Sequence, residues 1–342
     1  MLIKKNKIPF VQIIIFGIWP SFIKKFIYRL KGYKIGKNVS IGLGSVILGK
    51  HVTIMDNSRI GMVSVIRGNE ISIGRFVKIG SFTFIDCHKI EIGEDSRINE
   101  NVIIGGIKTP DSSIKIGKRT IIMEYSFINP SMPVVIGDDT GIGGHCLIFT
   151  HGSWLSQLDG YPVTFAPITL GKNVWLPWRI FILPGVTIGD NVVIGANSLV
   201  SKDLPENVLA AGSPAKIIRE NFLQPPDELK RKSILSGIFS DFEKHIQFNG
   251  YTIIKKEEDY GFFYLLNFKN KKYQILFLEN NNPFKINTKD HLIILDSNIP
   301  VSTELPGMVI NLLNKTRLGH SEVGEEFVQF ISRFGIRFDR LD

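Results

Sequence analysis

Residues 150–219 hold the side chains whose types and spacing are best suited to chemistry. His151 stands at the start of a long loop, and an imidazole can exchange protons near neutral pH. Three aliphatic-and-turn repeats follow the loop, and a segment rich in small residues with scattered lysine and arginine closes the stretch. These residue types allow proton transfer at the loop and anion binding at the tail. The plainer alternatives are a histidine that hydrogen-bonds its own loop and a solvated basic surface.

Composition limits the classes of function. The 342 residues leave room for more than one domain, and the net charge of +9 is typical of proteins that meet nucleic acid, anionic membranes or phosphorylated small molecules. Lysine and arginine form no compact block interleaved with aromatic residues, so no nucleic-acid partner is expected. Cys87 and Cys146 lie in aliphatic segments, which favours reduced, buried thiols in a cytosolic protein over a disulfide or a catalytic thiol.

From residue 35 an aliphatic residue recurs every six positions, often just before a glycine. These markers fall in threes, and extra residues enter only after the third member. An amphipathic helix would need spacings of three and four, whereas this pattern predicts a triangular coil with three short strands as sides and loops at one corner. One coil cannot bury its apolar side alone, so eight stacked coils are expected to share one core. The markers are Ile35, Ile41, Ile47, Ile54, Ile60, Ile66, Ile73, Ile79, Ile85, Ile92, Ile98, Ile104, Ile116, Ile122, Ile128, Ile136, Ile142, Ile148, Leu170, Leu176, Ile182, Ile188, Ile194 and Val200.

The hexads of residues 35–220 resemble those of the hexapeptide-repeat acyltransferases, and among these the O-acetyltransferases of sugars and polysaccharides. The resemblance implies a mainly β fold, a left-handed parallel β-helix, although parallel crossovers are usually right-handed. It also implies a homotrimer with sites between neighbouring subunits, acetyl-CoA as the acyl donor and no metal.

The same resemblance suggests roles on the acceptor side. It implies that His151 is the general base that removes a proton from an acceptor hydroxyl, a weak nucleophile at neutral pH. His145, six residues earlier, is the rival, and we expect it to be a surface residue on the neighbouring side of the triangle. Asn129 is expected to contact the acceptor. Trp175 and Trp178 are expected to stack on a sugar ring, or else to be buried against a neighbouring subunit.

The sequence leaves two features of the acceptor side undecided: the shape of the pocket and the partner of the His151 imidazole. Many relatives have Gly-Ala after an Asn-Val-Trp-Ile run, whereas in this chain Asn-Val-Trp-Leu is followed by Pro177-Trp178-Arg179, which changes the expected pocket. A catalytic imidazole works best when a carboxylate or a carbonyl holds its second nitrogen. The sequence does not choose among the acidic candidates Glu124, Asp138, Asp139 and Asp159.

The resemblance extends through residues 185–219, the last coils and the exit segment along which the pantetheine arm of the donor lies in the family. Flat coil backbone offers N–H and C=O groups to that arm, and cationic side chains can bind its phosphates by charge-assisted hydrogen bonds. The expected donor-binding residues are Gly195, Ala196, Ser201, Lys202, Lys216 and Arg219.

The pattern divides the chain into an N-terminal helical segment (1–34), the β-helix (35–220), a linker helix (221–247) and a small α+β accessory domain (248–342). Within the exit segment, SPAKIIREN predicts a short helix that seals the open end. The accessory domain contains no motif that carries chemistry.

Residues 8–31 include the apolar run IPFVQIIIFGIW, which superficially resembles a signal peptide. No small-residue cleavage site follows it, and the run is short for a membrane span. Two interpretations are equally open: a helix at a membrane interface, or a helix packed on the scaffold. The expected location is cytoplasmic, with peripheral contact at the inner membrane under the first interpretation.

The sequence therefore predicts an acetyl-CoA-dependent O-acetyltransferase acting on a sugar hydroxyl of a bacterial surface polysaccharide or its precursor. Acylation of a small molecule, such as an amino sugar nucleotide, serine or an antibiotic, is the alternative within the same fold. A zinc carbonic anhydrase-like protein, which needs three convergent histidines, and a non-catalytic trimeric platform are the alternatives of other classes.

Overall fold

The computed structural model describes residues 10–259, 261–268, 271–278, 290–296 and 307–341. The chain divides into two compact units, Met1–Gln224 and Pro225–Asp342. The described residues of the first unit form a three-sided parallel β-helix preceded by two short helices. The described residues of the second unit form a mixed sheet with two α-helices.

Within the described part of the first unit, helices α1 (Phe10–Gly17) and α2 (Ser21–Leu30) precede the coils. The strands of the first four coils are β1 (Lys34–Ile35), β2 (Ser40–Ile41), β3 (Val46–Leu48), β4 (His51–Ile54), β5 (Arg59–Ile60), β6 (Val65–Arg67), β7 (Glu70–Ile73), β8 (Lys78–Ile79), β9 (Phe84–Asp86), β10 (Lys89–Ile92), β11 (Arg97–Ile98) and β12 (Ile103–Gly105). Those that follow are β13 (Ser113–Ile116), β14 (Ile121–Ile122), β15 (Phe127–Asn129), β16 (Val134–Ile136), β17 (Gly141–Ile142), β18 (Leu147–Phe149), β19 (His151–Gly152), β20 (Thr164–Phe165), β21 (Ile168–Leu170), β22 (Trp175–Leu176), β23 (Phe181–Ile182), β24 (Thr187–Ile188), β25 (Val193–Ile194), β26 (Leu199–Val200), β27 (Leu209–Gly212) and β28 (Ala215–Arg219).

The coil strands form three parallel sheets, one for each side of the triangle, whereas β19 and β20 pair antiparallel with each other. Sheet A is β1-β4-β7-β10-β13-β16-β21-β24, and sheet B begins β2-β5-β8-β11-β14-β17-β22-β25. Sheet C is β3-β6-β9-β12-β15-β18-β23-β26. All the aliphatic markers are buried in one continuous core, from Ile35 in the first coil to Val200 in the eighth. The stacked hexads predicted from the sequence are therefore confirmed.

The corners explain why each strand has only two to four residues. Many corner residues have a positive φ, including Asn57 (61°), Asn173 (53°) and Asn191 (57°). Asparagine tolerates this left-handed conformation better than most residues, so it ends a strand at low cost. Each coil thus turns after a few residues and lays its next strand on the neighbouring side.

All the insertions leave from the corner between a sheet C strand and the following sheet A strand, here called corner C–A. The two longest are residues 106–112, after β12, and the loop that follows β18. This confirms the expectation that loops emerge from one corner. Because parallel stacking repeats the same corner in every coil, these insertions lie along one edge of the stack.

The secondary structure of the exit segment, residues 213–221, differs from the prediction. SPAKIIREN was expected to be a short helix, but Ala215–Arg219 is a strand, β28, paired antiparallel with β27 at the end of sheet B. Gly212 has a φ of +108°, which lets the chain reverse directly after β27. The free edge of the sheet supplies backbone partners to residues 215–219, and this outweighs their tendency to form a helix.

Helices α1 and α2 close the other end of the coils. In the part of the chain that the structure describes, no single helix is long and apolar enough to cross a membrane, although α1 and α2 taken together pass that test by length and composition, with a bend of 113° between them. Lys24 is the buried centre of this cap: its Nζ donates to the carbonyls of Gly42 (2.6 Å) and Ser45 (3.1 Å).

The second unit contains α3 (Glu228–Phe248) and a sheet of β29 (Thr252–Glu258), β30 (Gly261–Phe268), β31 (Lys271–Leu278), β32 (Asp290–Leu295), β33 (Met308–Asn311), β34 (Thr316–Gly319) and β35 (Asp339–Arg340), with α4 (Glu322–Ile331) between β34 and β35. The helix expected over 221–247 thus begins at Glu228, where the Asp227 side chain accepts a hydrogen bond from the N–H of Lys230. Phe239 and Phe242 of α3 pack against Phe327 of α4, so α3 belongs to the core of this unit.

Candidate active site

His151 begins the loop at corner C–A of the sixth coil. Its strand, β19, pairs antiparallel with β20, and this places His151 opposite Phe165. The two rings stack with centroids 5.4 Å apart and planes 13° from parallel. The histidine is half-buried at the base of the loop. The loop therefore returns to the coils and covers one face of the imidazole.

A chain of polar side chains runs from His151 to the previous coil. Nδ1 of His151 lies 3.4 Å from Oγ of Ser131. The Ser131 hydroxyl donates its proton to Oδ1 of Asn129 at 2.7 Å. Since a hydroxyl has one proton, Ser131 can only accept from the imidazole, which assigns the ring proton to Nδ1. Nε2 is then the basic nitrogen of the neutral ring.

The coil before that supports the same arrangement. The N–H of Ile107 donates to the Ser131 hydroxyl at 3.2 Å, so the insertion after β12 helps to hold this side chain. A Cβ at Gly106 would lie 2.3 Å from Oδ1 of Asn129. Glycine at 106 is therefore what leaves room for the Asn129 amide, which is 5% exposed.

Thr150 ties the histidine to the scaffold. It is fully buried, and its hydroxyl donates to the carbonyl of Asn129 at 2.7 Å and accepts from the N–H of Met132 at 3.0 Å. The N–H of Ala166 donates to the Thr150 carbonyl at 2.9 Å, where the loop returns. Thr150 is thus hydrogen-bonded to the previous coil, and this restricts the positions that the His151 imidazole can take.

The partner of the imidazole is a residue that sequence reasoning missed. The acidic residues considered for this role have other surroundings: Glu124 accepts from the side chain of Asn99, Asp138 accepts from the N–H of Lys118, Asp139 pairs with Arg119, and Asp159 ends the short 3₁₀ helix Gln157–Asp159 within the loop. Ser131 takes the place beside Nδ1 instead. Its signal in the sequence is an Asn-x-Ser run that ends a sheet C strand one coil before the histidine.

The two tryptophans lie away from His151 within the chain. The Trp175 indole, on sheet B, fills the space that a Cβ at Gly141 would take. Trp178 stands at the corner between sheets B and C, and its indole likewise occupies the space above Gly144. The structure therefore brings Asn129 to His151, but neither of these indoles.

His145 occupies that second corner as well. It has a φ of +58°, and its ring stacks on Tyr125 at 5.1 Å between centroids. The Trp178 ring lies 6.0 Å from it. These ring contacts explain His145 as a packing residue of the corner, on the neighbouring side of the triangle from His151, as expected.

The residues expected to bind the donor fall into three places. Ser201 and Lys202 are exposed at corner C–A, two coils beyond His151. Ala196 is exposed at the corner between sheets B and C, next to Gly195. The N–H of Gly195 already donates to the Ala210 carbonyl at 2.8 Å, so that donor is not available to a ligand.

The third place is β28, which carries the two cationic residues expected to bind phosphates. Lys216 and Arg219 are both exposed on this strand, at the end of sheet B. The Arg219 guanidinium lies 5.9 Å from the centre of the Phe222 ring. A single chain therefore does not gather the expected donor residues around His151.

The two cysteines are buried thiols, as expected. Burial raises the pKa of Cys87 to about 12 and that of Cys146 to about 11, so both are protonated at neutral pH. A thiol in this form is a poor nucleophile. Among the residues that the structure describes, no three His, Cys, Asp or Glu side chains are grouped so that they could hold a metal ion.

Comparison with known proteins places the chain among acetyltransferases, although no family model matches it. Over 152 residues it is 36% identical to the galactoside O-acetyltransferase of Escherichia coli K12, a match that covers 42% of this chain and 62% of that protein. Over 130 residues it is 32% identical to WcaF of the same organism, a provisionally named colanic acid biosynthesis acetyltransferase, with 36% of this chain and 69% of WcaF covered.

Among solved structures, a hexapeptide-repeat acetyltransferase from Vibrio cholerae is 28% identical, with 38% of this chain and 73% of that chain covered and a TM-score of 0.34. A galactoside acetyltransferase in complex with coenzyme A is 25% identical, with 62% and 78% covered and a TM-score of 0.28. The identity over two thirds of WcaF, together with the three-sided coils, leads to one conclusion. This chain belongs to the hexapeptide-repeat acetyltransferases, and its coils are a left-handed parallel β-helix.

Proposed function

We propose that this protein transfers the acetyl group of acetyl-CoA to a sugar hydroxyl, with His151 as the general base. One observation carries the proposal: Nδ1 of His151 faces a hydroxyl whose own proton is committed to Asn129. This arrangement leaves Nε2 as the nitrogen that accepts a proton. A base prepared in this way suits the activation of an alcohol, which is a weak nucleophile at neutral pH.

The proposed reaction has a simple balance of bonds and protons. Nε2 of His151 takes the hydroxyl proton of the acceptor while the acceptor oxygen forms a bond to the thioester carbonyl carbon. The C–S bond then breaks, and the sulfur leaves with the proton that the imidazolium returns. Ser131 holds the protonated ring in place through both steps, because its hydroxyl accepts from Nδ1–H in either state of the ring.

Asn129 is the residue proposed to orient the acceptor. Its Oδ1 is engaged by Ser131, and the space for its amide exists because residue 106 is glycine. The proposed acceptor is a sugar of a bacterial surface polysaccharide or of its precursor. The names of two relatives, a galactoside O-acetyltransferase and a colanic acid biosynthesis acetyltransferase, support a saccharide over an amino acid or an antibiotic.

The working form is proposed to be a homotrimer with each site shared between neighbouring subunits. Three features support this proposal. Among the expected donor residues, Ala196, Lys216 and Arg219 lie away from corner C–A, where His151 stands, and a site shared between two chains would bring them to it. The loop that starts at His151 carries Trp154 and Leu158, which are 95% and 99% exposed. The outer side of sheet C is an apolar ladder of Phe84, Ile103, Phe127, Leu147, Phe181 and Leu199, in register from coil to coil.

The test measures acetyl transfer from acetyl-CoA to a panel of saccharides by the full-length chain. His151→Ala should lower kcat by roughly 100-fold or more, the usual contribution of a general base. The matched control is His145→Asn, because asparagine tolerates the positive φ of that corner, and it should retain most of the activity. Equal activity of His151→Ala and the wild type would refute the role of His151, and failure to transfer acetyl to any saccharide would refute the proposed acceptor class.

A further inference from the structure

The positive charge of this protein is concentrated at one end of the sequence. Residues 1–55 contain ten lysines and arginines and no aspartate or glutamate, whereas the whole chain has a net charge of +9. The remaining residues are therefore almost balanced in charge. The net positive charge of the chain therefore comes from the segment that includes α1, α2 and the first coil.

One side of α2 is held against the first coil by its polar groups. Besides the two hydrogen bonds of Lys24, the Tyr28 hydroxyl accepts from the N–H of Ile47 at 2.9 Å. The Ser21 hydroxyl accepts from the N–H of Ile41 at 3.0 Å. These groups satisfy backbone donors and acceptors at the free end of the coil stack, and they determine which side of the helix faces outward.

The first helix is attached to the same coil. The N–H of Gly44 donates to the Gly17 carbonyl at 2.6 Å, and Nζ of Lys31 lies 4.1 Å from the centre of the Phe16 ring. A Cβ at Gly17 would lie 3.1 Å from the backbone of Gly44, so α1 approaches the coil closely. Both helices are thus parts of the first unit with a defined outer side.

That outer side is apolar. On α2, Phe22, Phe26 and Leu30 follow each other at intervals of four residues and are 69%, 64% and 72% exposed. On α1 and the turn after it, Ile14 and Ile18 are 66% and 65% exposed. We call these five residues the apolar cap face. Large apolar side chains grouped in this way mark an interaction surface.

We propose that the apolar cap face docks on the surface of an anionic lipid bilayer. The argument is charge complementarity: the exposed basic residues Lys31, Lys34 and Lys37 follow α2 directly in the sequence, and residues 1–55 include no acidic side chain to oppose them. Apolar side chains enter the headgroup region of a bilayer while lysines attract anionic lipids. A second copy of this chain would bring two surfaces of the same sign together, which disfavours self-association through this face.

The helices lie on the bilayer and do not cross it. With a rise of 1.5 Å per residue, α1 and α2 are about 12 and 15 Å long, whereas the hydrocarbon core is about 30 Å thick. The polar bonds of Lys24 and Tyr28 also hold α2 on the first coil. Docking in this orientation would hold the first coil next to the membrane surface.

Sedimentation of the full-length protein with vesicles tests the proposal without any acetyl donor or acceptor, so its outcome is independent of the proposed function. The protein should bind vesicles that contain phosphatidylglycerol, bind pure phosphatidylcholine vesicles at least 10-fold more weakly, and dissociate as salt is raised. The triple variant Phe22→Ser, Phe26→Ser, Leu30→Ser should lose at least 10-fold in binding. The charge variant Lys31→Glu, Lys34→Glu should lose binding mainly at low salt.

The matched control removes exposed apolar side chains elsewhere. Leu229→Ser with Phe248→Ser, at residues that are 83% and 90% exposed in α3, should bind vesicles as the wild type does. Circular dichroism and a thermal melt establish that each variant is folded. Equal binding to both vesicle types, or equal binding by the triple variant, would overturn the proposal. A change in the oligomer mass of the triple variant in lipid-free buffer would also overturn it, since the face would then be a contact between protein chains.

Discussion

Oγ of Ser131 lies 3.4 Å from Nδ1 of His151, and this hydroxyl has no second proton to give because its own is donated to Asn129. The relationship places the proton of the neutral imidazole on Nδ1. A serine in one coil thereby determines which nitrogen of a histidine in the next coil is basic.

Replacing Ser131 with alanine should separate this role from stability. The imidazole would lose the acceptor that selects its tautomer, so kcat should fall by roughly 10-fold. Since Ser131 is fully buried, the variant should also lose about 1–3 kcal/mol of unfolding free energy through unpaired neighbours. The decisive measurement is the pH profile of kcat/KM, which should shift in the variant. An unchanged profile would leave Ser131 with a structural role only.

Gly106 should be needed for activity because it leaves the space in which the Asn129 amide lies. The three atoms nearest to a Cβ at this position all belong to the Asn129 amide, at 2.3–2.6 Å, so the amide would have to leave its place beside Ser131. Gly106→Ala should therefore lose roughly 10- to 100-fold in kcat/KM for the acceptor, and it should also lose unfolding free energy, because the buried hydrogen bond between Ser131 and Asn129 is broken. Gly105→Ala is the control, because its Cβ would meet Phe84 and Asp86 at ordinary distances of 3.4–3.7 Å. Similar activity of the two variants would contradict the positioning role of Asn129.

The exposed loop residues should stabilise the proposed trimer. Light scattering of the wild type should give three times the chain mass of 38.5 kDa. Trp154→Ser with Leu158→Ser should weaken the assembly and raise the KM for acetyl-CoA by roughly 10-fold, because the donor groove would be formed between subunits. A monomeric wild type with full activity would refute the shared site.

Lys24 should make stability depend on pH in a defined direction. Burial lowers the pKa of Lys24 from 10.5 to about 8, because desolvation disfavours the ammonium form. Between these pH values the unfolded chain holds a proton that the folded chain has released, so stability rises with pH in this range.

This dependence is checked by urea denaturation at pH 7.5, 8.5 and 9.5 relative to Lys24→Met, in which the titrating amine is absent. The wild type should gain unfolding free energy relative to this variant as the pH rises from about 8. Lys25→Met, which keeps Lys24, should follow the wild type. Parallel curves for the wild type and Lys24→Met would show that the buried amine does not titrate in this range.

The coils could be predicted from the sequence because each hexad contains its own aliphatic residue that must be buried. Ile47, Ile66 and Ile85 are equivalent by spacing alone, and all three are fully buried in register on sheet C. The exit segment could not be predicted in the same way. Residues 215–219 form β28 because the last coil offers an unpaired sheet edge, and that edge is a property of the assembled stack.

The site was predictable only in part. Asn129 and His151 were identified, and the structure brings their side chains to one corner, linked through Ser131. Of the acidic partners considered for His151, Glu124, Asp138 and Asp139 are engaged at the other two corners of the triangle. Asp159 lies in the short 3₁₀ helix within the loop. Trp175 and Trp178 likewise lie on another side, over Gly141 and Gly144. The six-residue spacing does not show which side chains meet at the same corner of the triangle.

The amino-acid sequence by itself determined the three-sided stack, the corner from which its loops leave and the histidine at the base of the longest loop. A six-residue period with aliphatic markers is a local property, repeated until a single stacking solution buries all of them. Only the tertiary structure decided that Ser131 holds Nδ1 of His151, that Gly106 makes room for Asn129 and that Lys24 closes the end of the coils. Those relationships join residues of different coils or elements, and their distances exist only after the coils have stacked.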